Sequence, residues 1–174
     1  MSISKKFNEL KTHDKTPRSI WTNPLHFIAF GFGSGALPYA PGTWGTLASI
    51  PLYLLLSLLP NAYYVIAVLI ITVASVWLCD KVSRDLNTHD HQGMCIDEFI
   101  GFFVTMIYVP REWTWIILGF ILFRVFDIWK PQPIRYIDKN VGGGFGMILD
   151  DVVAGIFACV LLHLVQWIVN GISY

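Results

Sequence analysis

Apolar residues are concentrated in five stretches of the chain, and polar segments separate them. The stretches cover residues 44–59, 63–78, 99–109, 113–129 and 152–174. A helix needs about 20 mostly apolar residues to cross the hydrocarbon core of a bilayer, and the last stretch meets this length best. The stretch 99–109 can span only if its helix begins inside the preceding loop. The pattern predicts an all-α membrane bundle of about five segments, some of them short or re-entrant.

The polar segments predict how these helices are connected. Residues 60–62 and 110–112 are short enough to make two helical hairpins, whereas residues 80–98 and 130–151 are long, polar and charged. Lys and Arg accumulate on the cytoplasmic side of membrane proteins. With the N-terminus in the cytoplasm, Arg111 falls outside, Arg124 lies within a segment, and the other basic residues fall inside. This topology places both long polar segments, and residues 30–47, on the cytoplasmic face.

Composition agrees with a membrane protein and narrows its partners. Hydrophobic residues make up 55% of the chain and charged residues 14%, against about 25% charged in a typical soluble domain. Twelve basic and twelve acidic residues balance, so the chain is not expected to bind nucleic acid. Three scattered cysteines predict neither a disulfide framework nor a zinc site. We divide the chain into a polar N-terminal extension, residues 1–22, without a cleavable signal peptide, and a membrane-embedded domain, residues 23–174.

Acidic residues lie close to the apolar stretches, where charge is costly and usually functional. Six of them share the predicted cytoplasmic face: Asp97, Glu98, Asp127, Asp138, Asp150 and Asp151. Helix capping or an ion pair between Arg124 and Asp127 can explain some of them. Clustered carboxylates otherwise need a cation, and such oxygen ligands suit Mg²⁺. Lys130, with Arg124 or Arg135, could then neutralise a phosphate.

Glycine-rich segments and histidines complete the candidate chemistry. Residues 30–47 are expected to be irregular, either to offer backbone N–H groups to an anion or to form a turn that Gly42 and Thr43 cap. The glycines at 142–146 predict a flexible approach to a last helix that Asp150 and Asp151 open. His89 and His91 are more often solvated than metal-bound in such a loop. Cys95 has no activating neighbour, so water is the expected nucleophile.

Four motifs occur in a fixed order: GSGALPYAPGTWGTLASIPL, IDEFIG, FRVFDIWKPQPI and GGFGMILDDVVAG. In order and spacing, over residues 25–160, they resemble the phosphatidylglycerophosphatase A family of bacterial membrane enzymes. The resemblance implies Mg²⁺-dependent removal of the terminal phosphate of phosphatidylglycerophosphate, which gives phosphatidylglycerol. It also implies a multi-pass protein of the bacterial inner membrane with a cytoplasmic active site.

The resemblance also assigns roles to residues of the four motifs. The metal ligands it implies are Glu98, Asp127, Asp150 and Asp151. The catalytic residues are Asp127, Lys130, Asp150, Asp151 and Thr43. The substrate-binding residues are Gly35, Thr43, Thr46, Lys130 and Arg124, and Asp97 and Asp138 are second choices. Thr46 stands where a serine is expected, and the glycine run at 142–144 is one residue longer than needed.

Two alternatives stay open. A non-enzymatic membrane carrier would place carboxylates at mid-membrane depth in several helices, whereas most acids here lie near segment ends on one face. A phosphatase for another lipid phosphate, such as phosphatidic acid, is not excluded, because no residue that reads the head group is identifiable. An oligomer is possible: Gly119, Ala154, Gly155 and Ala158 permit close helix contacts within or between chains.

Overall fold

The computed structural model of the protein describes residues 16–88 and 91–172, with side chains as far as residue 169. The described residues form helices and loops and contain no strand, so the predicted all-α class is confirmed. The helices are α1 Pro24–Ala29, α2 Pro41–Leu56, α3 Asn61–Leu86, α4 Ile96–Thr105, α5 Trp113–Trp129, α6 Ile134–Asn140 and α7 Gly143–Ile172. Two 3-10 segments, Arg18–Trp21 and Gly31–Ala36, flank α1.

Helix α4 lies at the centre of the bundle. It packs against α2, α3, α5 and α7, and eight of its ten residues are buried. At a rise of about 1.5 Å per residue it is about 15 Å long, half the thickness of a bilayer core. The helix does begin before the apolar stretch, but by only three residues, so α4 alone does not span.

Within the described part of the chain, two helices are long and apolar enough to cross a membrane: α3, and residues 143–169 of α7. Their outer faces expose large apolar side chains: Ile66, Leu69, Ile70, Val73 and Trp77 on α3, and Ile156, Val160, Leu164, Trp167 and Ile168 on α7. An apolar groove of about 460 Å³ lies between α2 and α3, with Phe99 and Phe103 of α4 among its walls. These exposed apolar surfaces are consistent with a membrane environment.

The two predicted hairpin turns lie together at one end of the bundle. Asn61, which begins α3, and Arg111, just before α5, line the same small cavity. The ring of Tyr53 from α2 contacts that of Tyr64 from α3 at this end, with centroids 6.3 Å apart. The hydroxyl of Tyr64 donates to the carbonyl oxygen of Phe103, 2.7 Å away, and so ties the hairpin to α4.

Small residues allow α4 and α7 to cross closely. A Cβ added at Gly155 would lie 2.4 Å from the carbonyl oxygen of Gly101, so only glycine fits there. Ala154 and Ala158 are fully buried, and a Cβ at Gly119 would lie 2.6 Å from Met106 Sδ. The small residues of α5 and α7 therefore make helix contacts within the chain.

Helix α3 is longer than its apolar stretch. It continues through the first seven residues of the segment predicted to be a loop, and it ends at Asn87 with φ +50°. Lys81 and Asp85, one turn apart, form an ion pair that supports the extension. The change to polar residues after residue 78 therefore marks the end of the apolar surface, whereas the helix continues to Leu86.

Helix α7 begins earlier than predicted, because the glycine run is helical. A Cβ at Gly144 would lie 2.4 Å from the carbonyl oxygen of Val76, so the glycine lets α7 start against α3. The N–H of Gly144 donates to Asp80 Oδ1 at 2.6 Å, which satisfies a donor that helix starts leave free. Asp150 and Asp151 consequently lie two turns inside α7, and the prediction that they open the helix is wrong.

The segment before α2 is irregular, as its glycines and prolines predict. Phe32 and Gly33 have φ of +58° and +90° and break the 3-10 segment. The residue that precedes α2 is Ala40, in a left-handed conformation. Gly42 and Thr43 lie in the first turn of α2, so the prediction that they cap it is wrong.

A hydrogen-bonded chain fixes α1 to α3. Ser19 Oγ lies 2.9 Å from His26 Nδ1, and His26 Nε2 lies 3.4 Å from Asp85 Oδ2. In a catalytic triad the serine bonds Nε2 and the acid bonds Nδ1, whereas here the two contacts are exchanged and Asp85 is also paired with Lys81. Ile20 beside it is fully buried. These hydrogen bonds anchor the described part of residues 1–22 to the helices. The division into an N-terminal extension and a membrane-embedded domain stays a prediction.

Candidate active site

A polar pocket of about 360 Å³ opens at the end of the bundle opposite the hairpin turns. The start of α2, the first turn of α4, the end of α5, α6 and the first turns of α7 surround it. Its walls carry six carboxylates: Asp97, Glu98, Asp127, Asp138, Asp150 and Asp151. These are the six acids that the sequence analysis singled out on the predicted cytoplasmic face. Lys130 is the basic residue among those that line the pocket.

Three of these acids form a tight cluster. One carboxylate oxygen each from Asp97, Glu98 and Asp151 lies within 4.8 Å of the others. Asp151 is buried, and Glu98 Oε2 is buried without a hydrogen-bond partner. Buried carboxylates at this distance repel one another unless a cation or a proton lies among them, and an orphaned buried oxygen is costly. The cluster therefore fits a divalent cation.

Membership of the cluster differs in part from the ligands that the resemblance implies. Glu98 and Asp151 belong to it, together with Asp97, which was a second choice. Asp127 and Asp150 line the same pocket, but an oxygen of each is held by a basic side chain. The first turn of α4 supplies two neighbouring acids, and the third turn of α7 supplies the acid that faces them.

Arg124 connects α5 to this cluster. Its Nη1 donates to Asp127 Oδ2 at 2.5 Å and lies 3.8 Å from Glu98 Oε1. The predicted ion pair between Arg124 and Asp127, three residues apart on one helix face, is therefore present. Arg124 is not among the residues that line the pocket, and its side chain is only 13% exposed. Its guanidinium orients two carboxylates, whereas the sequence predicted contact with substrate.

Lys130 reaches across the pocket from the end of α5. Its Nζ donates to Asp138 Oδ1 of α6 at 2.5 Å and to Asp150 Oδ2 of α7 at 2.7 Å. Burial alone would lower the pKa of Lys130, but these hydrogen bonds raise it above its ordinary value. The ammonium therefore stays charged. Lys130 has φ +44°, a left-handed conformation that ends α5 and turns the chain toward α6.

The first motif shapes the site from behind. Thr46 Oγ1 is buried and donates to the carbonyl oxygen of Gly42 at 2.8 Å. Thr43 is half-buried, and neither threonine is among the residues that line the pocket. A Cβ at Gly35 would lie 1.9 Å from the carbonyl oxygen of Gly93, so Gly35 allows two loops to pack. The structure does not bring these three residues to the pocket.

Gly42 belongs to the same motif, and its backbone lies directly against an acid of the cluster, whereas the sequence predicted only a capping role for it. A Cβ at Gly42 would lie 2.1 Å from Glu98 Oε1. The available signal was a glycine inside the first turn of a helix, where it weakens the helix unless close contact requires it.

The loop before α4 holds residues with packing roles. His91 is buried, accepts a hydrogen bond from the N–H of Gly93 at 3.1 Å and packs against Phe30. The prediction that His91 is solvated is therefore wrong, because its ring packs under the loop; His89 lies outside the described residues. Burial raises the pKa of the Cys95 thiol to about 12, so Cys95 is not a thiolate nucleophile at neutral pH.

The sequence profile of phosphatidylglycerophosphatase A matches residues 27–166. The chain belongs to the phosphatidylglycerophosphatase A family. A phosphatidylglycerophosphatase A of Escherichia coli K12 is 43% identical over 145 residues, which cover 83% of this chain and 84% of that protein. One of Haemophilus influenzae is 44% identical over 147 residues, 83% and 90% of the two chains. The matched region contains every residue that lines the acidic pocket.

A third relative carries a different name from the two phosphatidylglycerophosphatases. A protein of Bacteroides thetaiotaomicron, provisionally named a phosphatidylinositol-3-phosphatase, is 35% identical over 151 residues, which cover 82% of this chain and 94% of that protein. No solved structure matches the chain. Family membership thus agrees with the resemblance of the four motifs, and the pocket described above gives the family a structural site.

Proposed function

We propose that the protein is a Mg²⁺-dependent lipid phosphatase that hydrolyses phosphatidylglycerophosphate to phosphatidylglycerol and phosphate. Membership of a family named for this activity, together with a six-carboxylate pocket that a single lysine crosses, carries the proposal. The substrate is a phosphate monoester on a membrane lipid. A pocket at one end of an apolar bundle suits a polar head group whose acyl chains stay in the bilayer.

Asp97, Glu98 and Asp151 are the residues that would hold the cation. Their carboxylate oxygens are hard ligands of the kind that Mg²⁺ prefers. Glu98 Oε2 is buried and has no hydrogen-bond partner, so a bound cation would satisfy it. When bound, the cation would polarise the phosphoryl oxygens and stabilise the charge that develops on them. Arg124 holds Glu98 and Asp127 in place from the α5 side.

Lys130 is the proposed phosphate-binding residue. Its ammonium is shared by Asp138 and Asp150, and an incoming phosphate would compete for its donors. An N–H donor paired with a phosphate oxygen makes a strong, charge-assisted hydrogen bond. When Lys130 turns to the phosphate, an oxygen of Asp150 is left beside the reacting group.

Asp150 is the proposed proton acceptor. Because its Oδ2 lies 2.7 Å from the ammonium that would bind the phosphate, it is within reach of a water next to that phosphate. A carboxylate there can take the proton of the water as its oxygen attacks phosphorus. The P–O bond to the lipid then breaks, the leaving oxygen of phosphatidylglycerol takes a proton from solvent water, and Asp150 returns its proton to solvent as phosphate is released. Asp127, held by Arg124, would orient the same water.

We propose a bacterial inner-membrane location with the pocket on the cytoplasmic side. In this arrangement the chain crosses the membrane five times. Helices α2, α3, α5 and α7 each make one crossing, and α4 together with the non-helical residues 106–112 makes the third of the five. The positions of the hairpin turns at one end and the acids at the other support it. A cysteine at Asn61 should react with an impermeant maleimide in intact cells and one at Thr88 should not; the reverse pattern would invert the topology.

The direct test is phosphate release by the purified full chain in detergent, with Mg²⁺ and with chelator. Metal-dependent release from phosphatidylglycerophosphate is expected. No release from a monodisperse, folded protein with metal present would refute the proposed substrate. The Asp151→Asn variant, which removes a proposed ligand but leaves the helix intact, is the matched control for contaminating phosphatase.

A second candidate is a phosphatase for another lipid phosphate. The provisionally named phosphatidylinositol-3-phosphatase, with its 35% identity, favours keeping this alternative. Phosphatidic acid and phosphatidylinositol 3-phosphate belong in the same assay as competing substrates. If either has the higher kcat/KM, the head-group assignment changes, while the roles of Lys130 and the acids stand.

A further inference from the structure

The backbone of α2 lies directly against a carboxylate of the acidic cluster. A Cβ added at Gly42 would be 2.1 Å from Glu98 Oε1, 3.1 Å from Glu98 Cδ and 3.0 Å from Arg124 Nη1. Heavy atoms without a bond between them do not approach to 2.1 Å, so any side chain at position 42 must displace the Glu98 carboxylate. Arg124 Nη1 lies 3.8 Å from the same Oε1, so a Cβ at position 42 would contact both partners of this ion pair.

The local backbone gives no other reason for glycine at this position. Gly42 is the second residue of α2 and, unlike Gly31, Gly33 and Gly143, it does not have a positive φ. Alanine is a much better helix former than glycine. An exchange to alanine would therefore be expected to stabilise α2 if position 42 were only structural. The missing side chain serves the contact with Glu98.

We propose that Gly42 is a positioning residue: its bare backbone leaves room for the Glu98 carboxylate to lie beside Arg124 and within reach of Asp97 and Asp151. This inference rests on the proposed cation site of the lipid phosphatase. Glu98 projects from the first turn of α4, and its carboxylate lies against the bare backbone of Gly42 and beside the guanidinium of Arg124. A methyl group at position 42 would push the carboxylate away from Arg124 and from the cluster.

Binding of Mn²⁺ to the purified full chain, measured by electron paramagnetic resonance or calorimetry, tests the proposal. For Gly42→Ala we expect Mn²⁺ affinity to fall by about 10- to 100-fold, as when a residue that orients a metal ligand is removed. The melting temperature in chelator should stay the same or rise. Unchanged Mn²⁺ affinity would overturn the proposal, and so would a general loss of folding in which the folded fraction binds Mn²⁺ normally.

Gly45→Ala is the matched control. Position 45 lies one turn further along α2, and its added Cβ would meet Cys95 Cβ at 2.7 Å and no carboxylate. We expect it to lower the melting temperature and to leave the Mn²⁺ affinity of the folded protein unchanged. Equal losses of affinity in the two variants would point to helix packing and contradict the positioning role.

A compensating exchange gives a second, independent readout. Glu98→Asp shortens the side chain by one methylene and makes room for a methyl group at position 42. The combined loss of affinity in Gly42→Ala/Glu98→Asp should be smaller than the product of the two single losses, because the residues touch. Independent effects would overturn the proposal.

The same measurements separate this proposal from the proposed function. If Mn²⁺ binding behaves as expected but the protein releases no phosphate, only the lipid phosphatase function is refuted. If the wild-type protein binds no Mn²⁺, both are refuted.

Discussion

The ammonium of Lys130 lies 2.7 Å from the carboxylate of Asp150, which joins the end of α5 to the third turn of α7. The two residues are 20 positions apart in the sequence, with the short helix α6 between them. Both residues line the acidic pocket. In the proposed mechanism their contact places the phosphate-binding ammonium beside the carboxylate that takes a proton, and the first predictions concern these two side chains.

Lys130→Ala should raise KM more than it lowers kcat. Removing a charge-assisted hydrogen bond costs about 1.5–3 kcal/mol, which corresponds to about 10- to 100-fold in affinity for the lipid phosphate. Steady-state kinetics with phosphatidylglycerophosphate in mixed micelles measures this. Lys130→Arg keeps the charge and should lose less. Full activity of the alanine variant at ordinary substrate levels would remove Lys130 from the site.

Asp150→Asn should lower kcat by about a hundredfold to ten-thousandfold, the usual contribution of a general base. Asp138→Asn is the control, because Asp138 contacts the same ammonium but its side chain is 41% exposed on α6. It should lower kcat less than tenfold, a limit that follows from roughly 1 kcal/mol for a partly exposed ion pair. Equal losses in the two variants would assign both acids only to holding Lys130.

Asp151→Asn should abolish the response of the protein to divalent cations. In the wild type, Mg²⁺ at about 100 times its dissociation constant would add about 2.7 kcal/mol to the free energy of unfolding. The variant should show no such gain, yet its melting temperature in chelator should rise, because one of three mutually repelling carboxylates is neutral. A Mg²⁺-dependent rise in its melting temperature would place the cation elsewhere.

His91→Ala should destabilise the protein without changing its cation affinity. The ring is buried and accepts the N–H of Gly93, and an unpaired buried donor costs about 1–3 kcal/mol. Thermal unfolding in detergent, followed by Mn²⁺ binding to the folded protein, separates the two effects. Weaker Mn²⁺ binding by a fully folded variant would make His91 a ligand.

Gly155→Ala should lower the free energy of unfolding by about 1–3 kcal/mol, as overpacking of a close contact does. The added Cβ would lie 2.4 Å from the carbonyl oxygen of Gly101. Ile156→Ala, at the next position on the exposed side of α7, is the control and should change stability little. Similar melting temperatures for Gly155→Ala and the wild type would mean that α4 and α7 separate easily.

Much of the site could be predicted because charge in an apolar chain is informative. The six acids were grouped from the positions of apolar stretches and basic residues alone, and they line one pocket. The order of four motifs indicated the family that the comparisons confirm. Which acids form the tight cluster was not predictable, because Asp97 and Asp151 come from different helices whose crossing depends on Gly101 and Gly155.

Helix boundaries at the site were less predictable, for a physical reason. The glycine run before Asp150 has low helix propensity, and it is helical because Asp80 and Val76 of α3 meet it. Gly42 has a similar explanation, because the absence of a Cβ there makes room for the Glu98 carboxylate. Such contacts join residues that are far apart in the sequence, and local patterns do not contain them.

The complete enclosure of α4 has a consequence for biogenesis. Because α4 is short and keeps no face for lipid, it has little tendency to partition into the bilayer by itself. Its stable environment includes α7, which is synthesised after it. The carboxylates of α4 and α7 therefore meet only after α7 has been synthesised, and a nascent chain that stalls before α7 would lack the acidic cluster.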